Sequence, residues 1–308
     1  MNPSDKQNRL AASLMELEVD YGATEMTALF FTTLKKSIEG LEYDHLDHFC
    51  EEWDFFLTFA TTTKPRFGAI NTYLQSLKKR CEGSYISQEN KIREILLGIE
   101  EILESVKGDQ NDLLNSIANI DVRGKTILIY DHSHTVHRAL ELLQKKYHGN
   151  FKVVVAEQEY QKTHENIEVL HRLGISFQVV PDYMISHIQD SIDMIFLGAV
   201  TLKDTMHFVT DPGVYSLLSQ FKNYPDVKNF IFCTTQKFSL WKSEPKDEIS
   251  FKQSTKKHPK NSEIEYERLK YSHDRIPVSY FYQIVTEKGI FSAEECEKEF
   301  FELMKQVG

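Results

Sequence analysis

Five polar residues stand together at Asp131, His132, Ser133, His134 and Thr135. A carboxylate beside two imidazoles can exchange protons near neutral pH, and two hydroxyls can hold an anion. The segment therefore has the composition of an acid–base site or of an anion cradle. It follows the apolar run Ile127-Leu128-Ile129-Tyr130 and precedes "VHRALELLQKKY", whose apolar residues recur at helical spacing. A strand ending near Tyr130 and a helix starting after it would aim free backbone N–H groups and the Ser133 and Thr135 hydroxyls at one point. That point lies over the carboxyl edge of a sheet, where open α/β folds bind ligands and where helix amino termini favour phosphate or carboxylate. The competing reading is a plain helix cap, in which Ser133 or Asp131 satisfies the first turn and nothing binds.

Other motifs carry less chemistry. Gly124-Lys125-Thr126 resembles the end of a phosphate-binding loop, but the upstream glycine is absent and the residues precede a strand instead of following it. No GxGxxG follows any predicted strand, so the dinucleotide fingerprint is missing. His164-Glu165 begins like a zinc-protease motif, yet the next histidine is His171, seven residues on from His164 and not four, which suits an exposed polar helix. His45, His48 and Cys50 lack a fourth ligand nearby, and a helix surface explains them. Cys50, Cys81, Cys233 and Cys296 form no CxxC pair and read as reduced thiols. Neither a metal nor a cofactor is expected.

The elements that must position the polar cluster follow from periodicity. Apolar residues recur every three or four positions in "RLAASLMELEVDYG", "MTALFFTTLKKSIEGL", "YDHLDHFCEEWDFFLTFATTT", "INTYLQSLKKRC" and "NKIREILLGIEEILESV", giving a helical region over residues 1–118. From Arg123 the texture changes to short β-branched runs, "TILIYD", "FKVVVAE", "SFQVVPD", "MIFLGAV" and "NFIFCTT", separated by amphipathic stretches. Nearly continuous apolar strands alternating with helices predict a Rossmann-like α/β domain over 119–308, its mostly parallel sheet covered on both faces. Residues 242–270 are charged and poor in apolar residues and read as a long surface loop or insertion. A last helix is expected after Ser292, with Glu295 at the capping-box position. The net charge of −10 argues against binding to DNA or to an anionic membrane, although local basic patches stay open. No window approaches the roughly 20 apolar residues that cross a bilayer, so a cytoplasmic location is expected.

Taken in order, these segments resemble one family: the alpha, beta and delta regulatory subunits of eukaryotic translation initiation factor 2B, with the methylthioribose-1-phosphate and ribose-1,5-bisphosphate isomerases. The landmarks are "ILIYDHSHTV", "VVVAEQEYQKTHE" with Ala156-Glu157, "VVPD" with Asp182, "IFLGAV" with Gly198-Ala199, Gly213 in "TDPGV", and "DRIPVSYFYQIVTEKG". In the helical region "TTKPRFGAINTYLQSLKK" resembles the family's Arg-Pro segment. The resemblance implies a helical amino-terminal domain, a Rossmann-like domain, and a dimer assembled through the latter.

Departures from the family pattern bear on function. The isomerases use a cysteine at the strand-to-helix turn and an aspartate after Gly-Ala; the matching positions here are Asp131 and Val200. Valine cannot accept a proton or polarise a hydroxyl, so the family's chemistry is expected to be lost. The family's Asn-Lys pair, which holds sugar and phosphate, becomes Thr210-Asp211, and the arginine of Arg-Pro becomes Lys64, a charge without a bidentate fork. "HSHTV" and the His-Glu of "YQKTHENIEVL" are closer to the regulatory subunits. The resemblance implies a non-catalytic homodimer that takes a sugar phosphate or nucleoside phosphate at the turn, with translation initiation factor subunits as partners. Residues expected to meet the ligand are Lys64, Asp131, Ser133, His134, Thr135, Glu157, Asp182, Gly198, Thr210 and Gly213. The alternative is an aldose–ketose isomerase with rebuilt groups, in which Asp131 acts as base and His132 or His134 as acid.

Overall fold

The computed structural model describes residues 22–40, 53, 56, 68–82, 88–130, 132–242, 251–258 and 261–307. The helical stretches predicted for 9–22 and 43–63 lie largely outside them. Among the described residues three helices of defined bounds come first: α1 over residues 22–39, α2 (Gly68–Glu82) and α3 (Gln88–Ile117). Met26, Phe31, Trp53, Leu74, Ile95 and Ile99 form their common core.

The sheet that follows has seven strands in the order β12-β11-β7-β4-β1-β2-β3. The strands are β1 (Lys125–Ile129), β2 (Phe151–Glu157), β3 (Phe177–Pro181), β4 (Met194–Gly198), β7 (Lys228–Phe232), β11 (Gln283–Thr286) and β12 (Gly289–Phe291). All neighbours run parallel except β11 and β12, which are antiparallel. Alternate residues serve opposite faces, as the pleat requires. Ile127 and Ile129 pack with Val136, Ala139, Leu140 and Leu143 of α4 (His134–Tyr147) and with Leu170 of α5 (Tyr160–Leu173). Leu128 packs on the other face with Val214, Leu217 and Leu218 of α6 (Val214–Gln220) and with Cys296 and Phe300 of α7 (Ala293–Val307). Burying a side chain of this size contributes roughly 1.5–3 kcal/mol, so both helix layers are held chiefly by the β1–β4 neighbourhood. Leu113 and Ile117 of α3 join the α4 and α5 face, which ties the helical region to the sheet.

At the start of β1, Asp193 accepts from Thr126 N at 2.9 Å and pairs with Lys125 at 2.8 Å. Lys125 thus anchors the strand rather than a nucleotide. The expected capping box is present at α7: Ser292 N donates to Glu295 at 2.7 Å, and Glu295 N donates to Ser292 Oγ at 3.2 Å.

Two features depart from expectation. A small antiparallel sheet, β10-β6-β5, built from β5 (Thr201–Leu202), β6 (His207–Thr210) and β10 (Asp274–Pro277), stands after β4. The region expected as a loop over 242–270 contains a two-stranded ribbon, β8 (Phe251–His258) paired antiparallel with β9 (Asn261–Tyr271). Charged residues stand on both faces, Arg268 on one and Glu265 and Glu267 on the other, so strand alternation leaves no hydrophobic period to detect.

Gly213 is a position that only glycine fits. Its φ is +100°, and a Cβ there would lie 1.8 Å from Tyr130 Oη. Gly213→Ala is expected to destabilise the fold by at least about 2 kcal/mol through strain and overpacking. Urea unfolding at neutral pH checks this, and a variant as stable as the parent would refute the contact.

Candidate functional site

The sheet order changes direction at β1. β2 lies on one side of it and β4 on the other, which opens a crevice at their carboxyl ends. Ile129 is in register with Phe196 of β4 and with Val155 of β2. The polar turn after β1 therefore stands beside Gly198, which ends β4, and near Glu157, which ends β2.

Ser133 is the cap of α4: its extended backbone leads into the helix, and its Oγ accepts from Val136 N at 3.4 Å. The capping reading is thus fulfilled by Ser133, with Thr135 half-buried in the first helical turn. Asp131 and Lys64 lie outside the described residues. Gly68, four residues after Lys64, lies against the edge of the sheet; a Cβ on it would be 3.2 Å from Thr201 Oγ1 and 3.3 Å from the Lys237 carbonyl oxygen. Helix α2 therefore begins over the carboxyl ends of the strands.

Three imidazoles cluster at the turn. His132 lies 5.0 Å, centroid to centroid, from both His134 and His137, in edge-to-face contacts. Each has its own partner. His132 Nε2 is 3.0 Å from Glu165 of α5, His134 Nδ1 is 3.5 Å from Glu25 of α1, and His137 Nε2 is 2.6 Å from Asn166 Oδ1, to which it donates. Glu25 also meets Arg138 at 2.8 Å, so one carboxylate fastens α1 to the turn. Burial pulls His132 below the ordinary imidazole value, with Glu165 acting in the opposite direction. Burial lowers His137 to about 4, against the effect of Asn166. His273, just before β10, is lowered by burial as well.

The far side of the crevice is self-satisfied. Thr210, which ends β6, is fully buried, and Gly213 N and Tyr215 N both donate to Asp274 Oδ2 at 2.9 Å. Tyr130 donates to the Pro212 carbonyl at 3.2 Å. Asp211 forms an ion pair with Lys162 of α5. Val200 follows the end of β4, its N–H donating to Val209 O at 2.9 Å. Beside it the buried Lys237 Nζ donates to the Ala199 carbonyl at 2.9 Å.

Ser133, His134, Thr135, Gly198, Thr210 and Gly213 thus share one edge with Val200. Glu157 is exposed at the end of β2, in register with Pro181, and Asp182 follows on the outermost strand, β3, two strands from β1. Sequence reading did not single out Lys162 and His273, and took Glu165 and Asp274 only as parts of motifs, not as site residues. Only their succession in "YQKTHE" and "SHDRIP" marked them, because their partners come from elements far away in the chain. The candidate metal residues His45, His48 and Cys50 lie outside the described residues. Among the described residues no cluster of three His, Cys, Asp or Glu side chains is arranged to hold a metal ion.

The layers define a doubly wound α/β protein with a helical region packed over the carboxyl edge of its sheet. The chain belongs to the Initiation factor 2 subunit family, which it matches over residues 19–293. Its fold is similar to that of a translation initiation factor eIF-2B from Pyrococcus horikoshii OT3, at 17% identity and a TM-score of 0.68, covering 88% of this chain and 90% of that one. A 5-methylthioribose 1-phosphate isomerase from the same organism aligns at 16% identity and a TM-score of 0.70, over 95% and 88% of the two chains. A chain of the tetrameric eIF2B-beta2-delta2 complex from C. thermophilum aligns at 17% identity and a TM-score of 0.68, over 96% and 95%. These likenesses are of fold. No curated protein sequence matches the chain.

The lowered histidines make the turn acid-sensitive. The folded state binds protons more weakly than an unfolded imidazole of pKa near 6.5. The contribution of His137 to stability is therefore complete above about pH 6.5 and lost as pH falls toward 4. For His137 alone the loss is on the order of 3 kcal/mol. Imidazole resonances followed by NMR should place His137 near 4 in the parent and higher in Asn166→Asp; an ordinary value in the parent would contradict the buried pair.

Proposed function

We propose that this chain is a non-catalytic, regulatory-subunit-like member of the family, which dimerises and binds a sugar phosphate or nucleoside phosphate at the turn after β1. The observation that carries this reading is Val200. It stands at the carboxyl end of β4 beside β1, with its N–H committed to Val209, where the resemblance puts the isomerases' aspartate. A side chain without a titratable group at that point cannot move the C2 proton or the hydroxyl proton of an opened sugar. Ser133, His134, Thr135, Gly198, Thr210 and Gly213 would line the ligand, with Glu157 and Asp182 at the outer rim; Lys64 and Asp131 are proposed ligand residues as well.

Lys162 supplies a phosphate cation that the sequence pattern had assigned elsewhere. An entering phosphate competes with Asp211 for it, so affinity is set by the difference between two ion pairs. The amides of Gly213 and Tyr215 already serve Asp274, which leaves the α4 and α5 side as the anion-facing wall. Translation initiation factor subunits are the proposed partners, and the cytoplasm the proposed location. Among the described residues no helix is long and apolar enough to cross a membrane.

A second reading has one observation in its favour. His132 and Glu165, 3.0 Å apart over the turn, form an imidazole–carboxylate pair of the kind that transfers protons. With Asp131 as base and His132 or His134 as acid, an isomerase acting on a phosphorylated ribose could have been rebuilt.

A thermal-shift panel of ribose 1,5-bisphosphate, methylthioribose 1-phosphate, hexose phosphates and nucleoside monophosphates separates the two when each hit is analysed for product. A ligand at about 100 times its Kd should raise the Tm by about 5 °C, without turnover. Ketose formation that disappears in Asp131→Asn would establish the second reading instead.

A further inference from the structure

Helix α1 reaches the turn through one carboxylate. Glu25 Oε1 lies 2.8 Å from a terminal nitrogen of Arg138, and Glu25 Oε2 lies 3.5 Å from His134 Nδ1. Its two oxygens therefore serve two side chains that are four residues apart on one face of α4. Gly22, the first residue of α1, rests against the same imidazole: a Cβ on it would be 3.3 Å from His134 Nδ1. The other terminal nitrogen of Arg138 donates to Gln110 of α3. Arg138 thus holds two helices of the helical region at once, and its guanidinium is oriented before any ligand arrives.

The simplest account is an ion pair that seats α1. Glu25, Arg138 and His134 are all partly exposed, however, and an exposed pair of this kind contributes little to stability. Helix α1 is seated by its own core, because Met26, Thr27, Phe31 and Ile38 are buried. What Glu25 does is neutralise a fork of donors beside the crevice. The His134 ring that it meets is 5.0 Å from that of His132 at the turn. Glu141, on the following turn of α4, is engaged with Lys145 at 2.6 Å, and Glu25 is the carboxylate paired with Arg138. A guanidinium fits a phosphate in the same way as a carboxylate, and a phosphate monoester brings more charge and more acceptor oxygens.

We propose that Glu25 is an internal counter-ion, displaced from Arg138 and His134 by the phosphate of a crevice ligand, so that occupancy is passed to the first turn of α1. The inference rests on the phosphate-binding reading above. It adds Arg138 as a ligand residue and α1 as the element that responds. The coupling is reciprocal: the factor by which docked Glu25 weakens the ligand is the factor by which the ligand weakens the Glu25 contact.

The test is isothermal titration calorimetry of the full chain with ribose 5-phosphate, with ribose as the phosphate-free control. Glu25→Gln is expected to bind ribose 5-phosphate about tenfold more tightly than the parent, and Arg138→Gln at least about tenfold more weakly. Ribose should not distinguish the three proteins. A pair with a structural role only would move both variants in the same direction, and melting curves show whether each is folded. Hydrogen exchange reads the response of the helix in the parent. The amides of residues 26–29 bond to the carbonyls of the first turn of α1, and they should exchange faster when ribose 5-phosphate saturates the protein. A Glu25→Gln protein that binds no more tightly than the parent would overturn the proposal, as would saturation that leaves those amides unchanged. Equal binding to the parent and both variants would remove the displacement and leave the crevice reading standing. Failure of every phosphate compound of the panel above to bind the parent and Glu25→Gln would remove both.

Discussion

Strand β1 is hydrogen-bonded to its successor in sequence, β2, on one edge and to β4 on the other, and this double pairing places the chemistry. Because parallel crossovers run on opposite faces of the sheet from this point, a crevice opens between them at the carboxyl end of β1. The chain must leave the sheet there, turn, and start α4 over an open crevice. The apolar residues Ile127, Leu128 and Ile129, all fully buried, fix that exit in position by serving both faces at once. A shift of one residue in β1 would exchange the two faces and carry the histidines away from Glu165 and Asn166.

From this constraint the crevice acquires two unlike walls. On the α4 and α5 side stand Ser133, three imidazoles and Lys162, with the amino end of α1 fastened through Glu25. On the side of the small sheet, Asp274 takes the amides of Gly213 and Tyr215, Tyr130 fills the space beside Gly213, and Asp211 turns to Lys162. Charge has been rearranged relative to the pattern that the resemblance implies: where a lysine would follow the small sheet, an aspartate stands, and a lysine faces it from a different helix.

The central strands were legible in the sequence because burial on both faces makes a run such as Ile127-Leu128-Ile129 continuously apolar. The cap at Ser133 and the capping box at Ser292 and Glu295 were legible because both depend on residues three positions apart. The ribbon at 251–271 was not, since neither of its faces is buried enough to impose an apolar period. The small sheet escaped for another reason: β5 has two residues and β6 has four, too short to show alternation. Glu165 read as part of an exposed polar helix, yet it meets His132, a contact between residues 33 positions apart that no local pattern encodes.

The central claim is that a crevice of this family persists here without the family's proton transfer. Its most direct test is a single-turnover experiment with the protein in excess over ribose 1,5-bisphosphate labelled with ¹³C at C1, followed by NMR. The account expects the C1 resonance to shift on binding and to return unchanged when the protein is denatured. A new C1 resonance at the CH2–O–phosphate position of a ketose that persists after denaturation, and is absent from a Glu165→Gln control, would contradict it and assign the turn to catalysis.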